Sequence, residues 1–127
     1  MQYRLLNYLI MVMIPFWGLT QPGFVHYSIK NGLTQNAVTA IFKDSKGFVW
    51  MGTQDGLNRF DGLSFKHFKH NSVDTTTLSD QYITAIAEDG SGNLWVGTRN
   101  GLNKYDVISG KFERIHPDPS RKKVIQY

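Results

Sequence analysis

The chain has 127 residues, 41% hydrophobic and 19% charged, with 8 Phe, 6 Tyr and 3 Trp, a globular balance that excludes a disordered chain. It has no cysteine, which excludes disulfides, thiolate metal sites and lipidation at cysteine. The net charge of +4 does not describe a nucleic-acid binder: Arg59, Lys66 and Lys69 are interspersed with Asp55, Asp61 and Asp74, and the one dense basic run, Arg121-Lys122-Lys123, lies in the tail, where three like charges are solvated.

Residues 1–20 read as an address. Arg4 precedes the apolar run LLNYLIMVMIPFWGL of residues 5–19, which as a helix spans about 22 Å against a hydrocarbon core of about 30 Å. Pro15 interrupts it near its end. The segment is therefore expected to be a cleaved export signal, leaving Gln21 at the mature N-terminus. If it stays uncleaved, it is the chain's expected contact with a membrane. Residues 23–35 follow as a lone strand and turn, with apolar Phe24, Val25, Tyr27 and Ile29 ahead of Lys30-Asn31-Gly32.

Sliding the chain against itself by 45 residues aligns VTAIFKDSKGFVWMGTQDGLNRFD of 38–61 with ITAIAEDGSGNLWVGTRNGLNKYD of 83–106, and twelve of the twenty-four positions are identical. A period of this length, with short strands and no helical pattern, belongs to propeller-type repeats. Four strands are predicted in the first copy, at 38–42, 48–52, 57–60 and 64–68, and four in the second, at 83–87, 93–97, 102–105 and 111–115. The β-branched content of the first strand of each copy suits a sheet. Asp44 and Asp89 are placed to cap the turns that follow it. Asp55-Gly56 and Asn100-Gly101 read as two-residue hairpin turns requiring positive φ. The fourth strands are more polar and alternating, as an outer edge requires.

Such a four-stranded unit leaves both faces wet unless it stacks on a neighbour. Trp50 and Trp95 are the expected inter-repeat anchors, each able to bury on the order of 200 Å². Gly52 and Gly97 follow them where a missing side chain permits close backbone approach. Gly56 and Gly101 complete the set of structural repeat positions. The expected fold is all-β: an incomplete β-propeller of about two antiparallel blades at 36–71 and 81–117, preceded by a single strand and a signal segment, with a linker tail at 118–127.

These residues resemble the two-component regulator propeller repeats of the periplasmic sensor region of bacterial hybrid histidine kinases. The motifs that carry the resemblance are NAVTAI at 36–41, DSKGFVWMGT at 44–53 and QDGLNRFDG at 54–62, with their counterparts around Asp89 and Trp95. The resemblance implies a much larger parent in the inner membrane, with many blades, a membrane helix and a cytoplasmic output domain, and an association with polysaccharide sensing. Relative to that pattern the chain reads as a fragment, a truncated frame or a subunit completed by assembly.

No catalytic constellation emerges, and no cofactor is expected. His26, His67, His70 and His116 lack carboxylates at ligand spacing, with His70 and His116 read as matching linker positions. The DGSGN turn at 89–93 has alternating oxygen side chains but no closing Glu, and its first-copy counterpart carries Lys46 and Phe48; no metal is expected. No nucleophile elbow, phosphate loop or zinc helix is present in the sequence. The expected function is a non-catalytic, periplasmic, ligand-binding sensor module. Its expected partners are an oligosaccharide and other blades or a second copy, with no nucleic acid. A protein-interaction scaffold is the alternative. The weak candidates for ligand contact are Gln54 and Arg99, which occupy equivalent positions but differ between the copies.

Overall fold

The computed structural model describes residues 22–116. The predicted signal segment 1–20 and the tail 118–127 lie outside the described residues. Eight strands follow in chain order: β1 (Val38–Lys43), β2 (Val49–Thr53), β3 (Gly56–Phe60), β4 (Phe65–Phe68), β5 (Ile83–Glu88), β6 (Leu94–Thr98), β7 (Gly101–Asp106) and β8 (Lys111–Ile115). They form two antiparallel meanders, β1-β2-β3-β4 and β5-β6-β7-β8. The 45-residue period extends to detail: a bulge falls between Val38 and Ala40 in one sheet and between Ile83 and Ala85 in the other.

The sheets stack so that β5 lies against β1 and β2. Ile83, fully buried, sits over Gly52, where an added Cβ would stand 2.5 Å from its Cγ2. Thr39 Oγ1 donates to the Ile83 carbonyl at 2.7 Å, and Glu88 accepts from the Ser45 amide and hydroxyl. Further out, Trp50 stacks on Phe68 and meets Tyr105 edge-on, while Phe68 also meets Phe112 edge-on. A single buried cluster therefore crosses the gap, with Trp50, Leu57 and Phe68 from the first sheet and Ile83, Leu94, Val96, Tyr105 and Phe112 from the second. Aromatic pairs of this kind add to the area they remove from water.

Three expectations change. The lone strand predicted near the start is not a strand: residues 22–28 have no regular structure and Ile29–Asn31 form a 3-10 turn. A strand exists by pairing its backbone, and these residues use side chains instead, with Tyr27 packing on Phe60 and Phe65. Second, the hairpin turns consist of Gln54-Asp55 and Arg99-Asn100, since Thr53 pairs with Gly56 and Thr98 with Gly101. Each glycine follows the turn at positive φ, 118° and 113°. The threonine hydroxyls fix this arrangement by accepting from the Asp55 and Asn100 amides and donating to the Gly56 and Gly101 carbonyls. Third, the tryptophans differ: Trp50 is 2% exposed, whereas Trp95 is only half-buried.

Two stability outcomes follow from the stacking. Gly52→Ala is expected to cost about 1–3 kcal/mol through overpacking against Ile83, and Ile83→Ala in the same chain should recover part of that loss. A double-mutant cycle by urea denaturation checks the coupling. Trp50→Ala should cost about 3–5 kcal/mol. Trp95→Ala should cost clearly less, and equal losses in thermal melts would contradict the difference in burial.

Candidate ligand-facing turns and the latches behind them

Each sheet is locked to the segment that precedes it by a buried polar latch. In the first, Asn58 Oδ1 accepts from the Thr34 amide at 3.0 Å, and its Nδ2 donates to Thr34 Oγ1 and the Met51 carbonyl at 2.9 and 3.1 Å. Thr34 Oγ1 lies 2.9 Å from Thr53 Oγ1. Because the Thr53 proton goes to Gly56, the Thr34 hydroxyl is the donor of that pair. In the second, Asn103 repeats these bonds with Ser79 and Val96, and Ser79 Oγ lies 2.8 Å from Thr98 Oγ1. Asn58, Asn103 and Thr53 are fully buried. A buried amide is tolerated when its donors and acceptors are matched, as here. The latch went unnoticed in the sequence, although the identity of Thr53 with Thr98 and of Asn58 with Asn103 carries its signal.

A second tie comes from the middle of the outer strand. Arg114 on β8 donates to the carbonyls of Asn71, Asp74, Thr77 and Leu78 and to Thr77 Oγ1. His67 on β4 bonds the Gly32 carbonyl, the counterpart of Thr77. His70 Nδ1 bonds the Leu78 carbonyl at 2.7 Å. The register pairs Leu57 with Phe68 and Leu102 with Ile115. His116 therefore corresponds to Lys69 and not to His70, a one-residue correction to the sequence reading, since the β7–β8 connection is two residues longer than the β3–β4 connection and Phe112 takes the place of Phe65. Among the described residues no group of three or more His or acidic side chains is placed to hold a metal.

At the opposite end of each sheet, an aspartate closes the β1–β2 and β5–β6 turns. Asp44 accepts from the Lys46 and Phe48 amides and from the Trp50 indole at 2.8 Å. Asp89 accepts from the Ser91 and Asn93 amides, the Asn93 side chain and the Trp95 indole at 2.9 Å. The bonds from the Trp95 and Asn93 side chains, reinforced by the two amides, hold the Asp89 carboxyl well below its ordinary value of 3.8. Thus the tryptophan is oriented by the same carboxylate that shapes the turn. A cation lies over each indole: Arg59 at 5.7 Å from the Trp50 ring and Lys104 at 5.6 Å from the Trp95 ring.

Gln54 and Arg99 both occupy the two-residue turns and both are exposed. Their surroundings differ. The Arg99 guanidinium lies 3.6 Å from the Tyr82 ring centroid, and the Arg99 amide donates to the Tyr82 carbonyl. It lines an open cleft of about 330 Å³ with Ser79, Asn100, Arg114 and His116. Gln54 does not line this cleft. Its neighbour Asp55 instead pairs with Lys69 at 2.8 Å. A second open cleft, of about 490 Å³, lies at the other end of the sheets, where Lys46, Asn93, Lys104, Asp106 and Glu113 mix both charge signs.

Two four-stranded antiparallel meanders, stacked face to face and each latched to its own leading segment, are consecutive blades of a β-propeller. Two are present among the described residues, fewer than the four to eight that close a ring. Residues 32–55 and 77–100 each match the two component regulator propeller family.

Among solved structures, the extracellular domain of BT3049 from B. thetaiotaomicron, assigned as a hybrid two component system, is similar with a TM-score of 0.67 and 29% identity over 76% of this chain. The extracellular domain of BT4673 from the same organism, assigned as a one component system, is similar with a TM-score of 0.61 and 28% identity over 74%. In each case the chain covers 14% of the solved domain. Histidine kinase P4 of Formosa agariphila is 48% identical over 56 residues, which are 44% of this chain and 4% of that protein. The chain thus spans a small part of these relatives, and the solved parts that it resembles are extracellular domains.

Asn103→Ala is expected to destabilise by about 1–3 kcal/mol, because it strands the Ser79 amide in the interior, and urea denaturation measures this. The pH dependence has a defined sign. A carboxyl held below its ordinary value in the folded chain contributes stability above that value and loses it as pH falls further. Asp61, Asp74 and Asp106 are lowered as Asp89 is, by the Ser64 amide, the Thr76 hydroxyl and the Ile108 amide respectively. The melting temperature should therefore be level near neutrality and fall below about pH 4, with a shallower fall in Asp89→Asn.

Proposed function

We propose that this chain is part of the exported, periplasmic sensor region of a two-component signalling protein, and that its propeller surface recognises an oligosaccharide. The observation that carries the reading is the similarity over three quarters of the chain to extracellular domains of such systems. The described residues supply the framework for recognition and no reactive constellation. The apolar positions and latches build the blades, and the polar residues that differ between the repeats gather at the turns. Gln54 and Arg99 are the proposed contact positions. Arg99 is the stronger, because its cleft also holds Arg114 and His116. Arg114 is bonded to neutral oxygens and shares its charge with nearby Asp74, so the positive charge of the cleft rests chiefly on Arg99 with Arg114 behind it, and it favours an acidic sugar over a neutral one.

Glycan-array binding by the chain tests this. Acidic oligosaccharides should be retained, with binding lost in Gln54→Ala/Arg99→Ala and reduced by added salt. An array on which the wild-type chain retains no glycan overturns the oligosaccharide reading, and binding unchanged in the double variant removes the two turn positions. Export predicts that intact mass of the periplasmic product lacks about the first twenty residues; a full-length cytoplasmic chain would contradict it.

A further inference from the structure

Arg99 and Tyr82 belong to the second repeat, and neither has its like in the first. At the equivalent places the first repeat carries Gln54 and Ala37. The frame around them is the same in both copies, with Thr53 and Thr98 holding the turns through matching hydroxyl bonds. The second repeat thus acquires a cation and an aromatic ring at two positions separated along the chain, and these two side chains lie against each other. The Arg99 guanidinium carbon is 3.6 Å from the Tyr82 ring centroid, and the Arg99 amide donates to the Tyr82 carbonyl at 3.1 Å. An adjoining blade on either side leaves this turn tip uncovered. Arg99 is exposed with a blade stacked before its own, and Gln54, at the same place in its turn, is exposed with a blade stacked after its own.

The contact fixes how the guanidinium lies. A carbon this close to the ring centre leaves no room for a nitrogen aimed at the ring, so the guanidinium plane runs along the ring face and its N–H groups point sideways. Among the described residues the one ion pair is Lys69 with Asp55, and no acceptor is bonded to the Arg99 side chain. We infer that Arg99 binds the carboxylate of a uronic acid edge-on through its paired N–H groups, with Tyr82 as the positioning residue that holds the guanidinium in that plane. This rests on the reading of Arg99 as a ligand contact and narrows the acidic group it takes. A carboxylate is planar, so both oxygens meet the fork of N–H donors in the guanidinium plane. A sulfate ester is tetrahedral. With two oxygens on the fork, its other two substituents stand above and below the plane, one of them on the side where the Tyr82 ring lies. Stacking also keeps water off one face of the guanidinium, which strengthens the bonds it makes in plane.

Two simple anions test the proposal on the chain itself. In a nitrogen–proton correlation spectrum, sodium glucuronate should shift the Arg99 Nε–Hε resonance saturably, and sodium sulfate at equal ionic strength should shift it far less. Equal shifts from both anions, or none from glucuronate, overturn the proposal. Tyr82→Phe keeps the stacked ring and should keep the preference for glucuronate. Tyr82→Ala should lose that preference while the salt-sensitive response to both anions remains, an outcome that a merely structural role for the ring would not produce. Arg99→Lys keeps the charge without the fork, and its Asn100 amide should respond to the two anions alike; a preserved preference for glucuronate overturns the proposal even if Tyr82→Ala fails to fold. On a glycan array, uronate-bearing oligosaccharides should lose retention when their carboxyl groups are reduced to alcohols. Acidic glycans retained while glucuronate leaves Arg99 unmoved would uphold oligosaccharide recognition and overturn the carboxylate fork. A glucuronate shift with no glycan retained would uphold the fork and overturn oligosaccharide recognition.

Discussion

A four-stranded sheet has two faces and no interior, so this structure depends on how closely one sheet can approach the next. That approach is set where Ile83 rests on Gly52. A side chain at Gly52 would occupy the space of the isoleucine, and without the seated isoleucine the aromatic contacts further out, Trp50 to Tyr105 and Phe68 to Phe112, would lose their spacing. The interface is graded from the inside outward: a glycine under a branched aliphatic, then an indole, then phenyl rings. The wedge this produces is what turns a stack of sheets into the sector of a propeller.

The polar latches do a different task. Stacking holds one sheet to the next, but it does not decide where the connecting segment runs. Asn58 and Asn103 do so by offering an amide whose three buried bonds are satisfied only when Thr34 or Ser79 is in place. Arg114 extends this control along the linker, collecting carbonyls from Asn71 to Leu78. The turn residues that face solvent are held by the same threonines that complete the latches, so Gln54 and Arg99 stand on a rigid base. The turn tips can differ between the repeats because the Thr53 and Thr98 hydroxyls, and not the Gln54 and Arg99 side chains, hold the turns.

The 45-residue period, the strand order and the roles of Asp44, Asp89, Gly52 and Trp50 were legible in the sequence, because identical residues at a fixed spacing reflect the same local backbone problem solved twice. The turn glycines were located, but their place in the turn was not, since Asp-Gly fits more than one turn type and only the Thr53 and Thr98 hydroxyls select between them. The residues near Tyr27 carry the composition of a strand, and a strand needs a partner edge that composition does not reveal. The surroundings of Gln54 and Arg99 were equally hidden: equivalent in sequence, one leaves a salt bridge to its neighbour while the other lies on Tyr82 and lines a cleft with Arg114 and His116.

By itself, then, the sequence determined a pair of propeller blades, their turns and the glycine and tryptophan positions that let them stack, all of which follow from short-range patterns repeated in register. The tertiary structure alone decided which copies of those residues are covered. Trp50 and Trp95, Leu57 and Leu102, and Ile83 and Val38 are equivalent along the chain and unequal in space, because burial belongs to the neighbour across the gap and not to the residue.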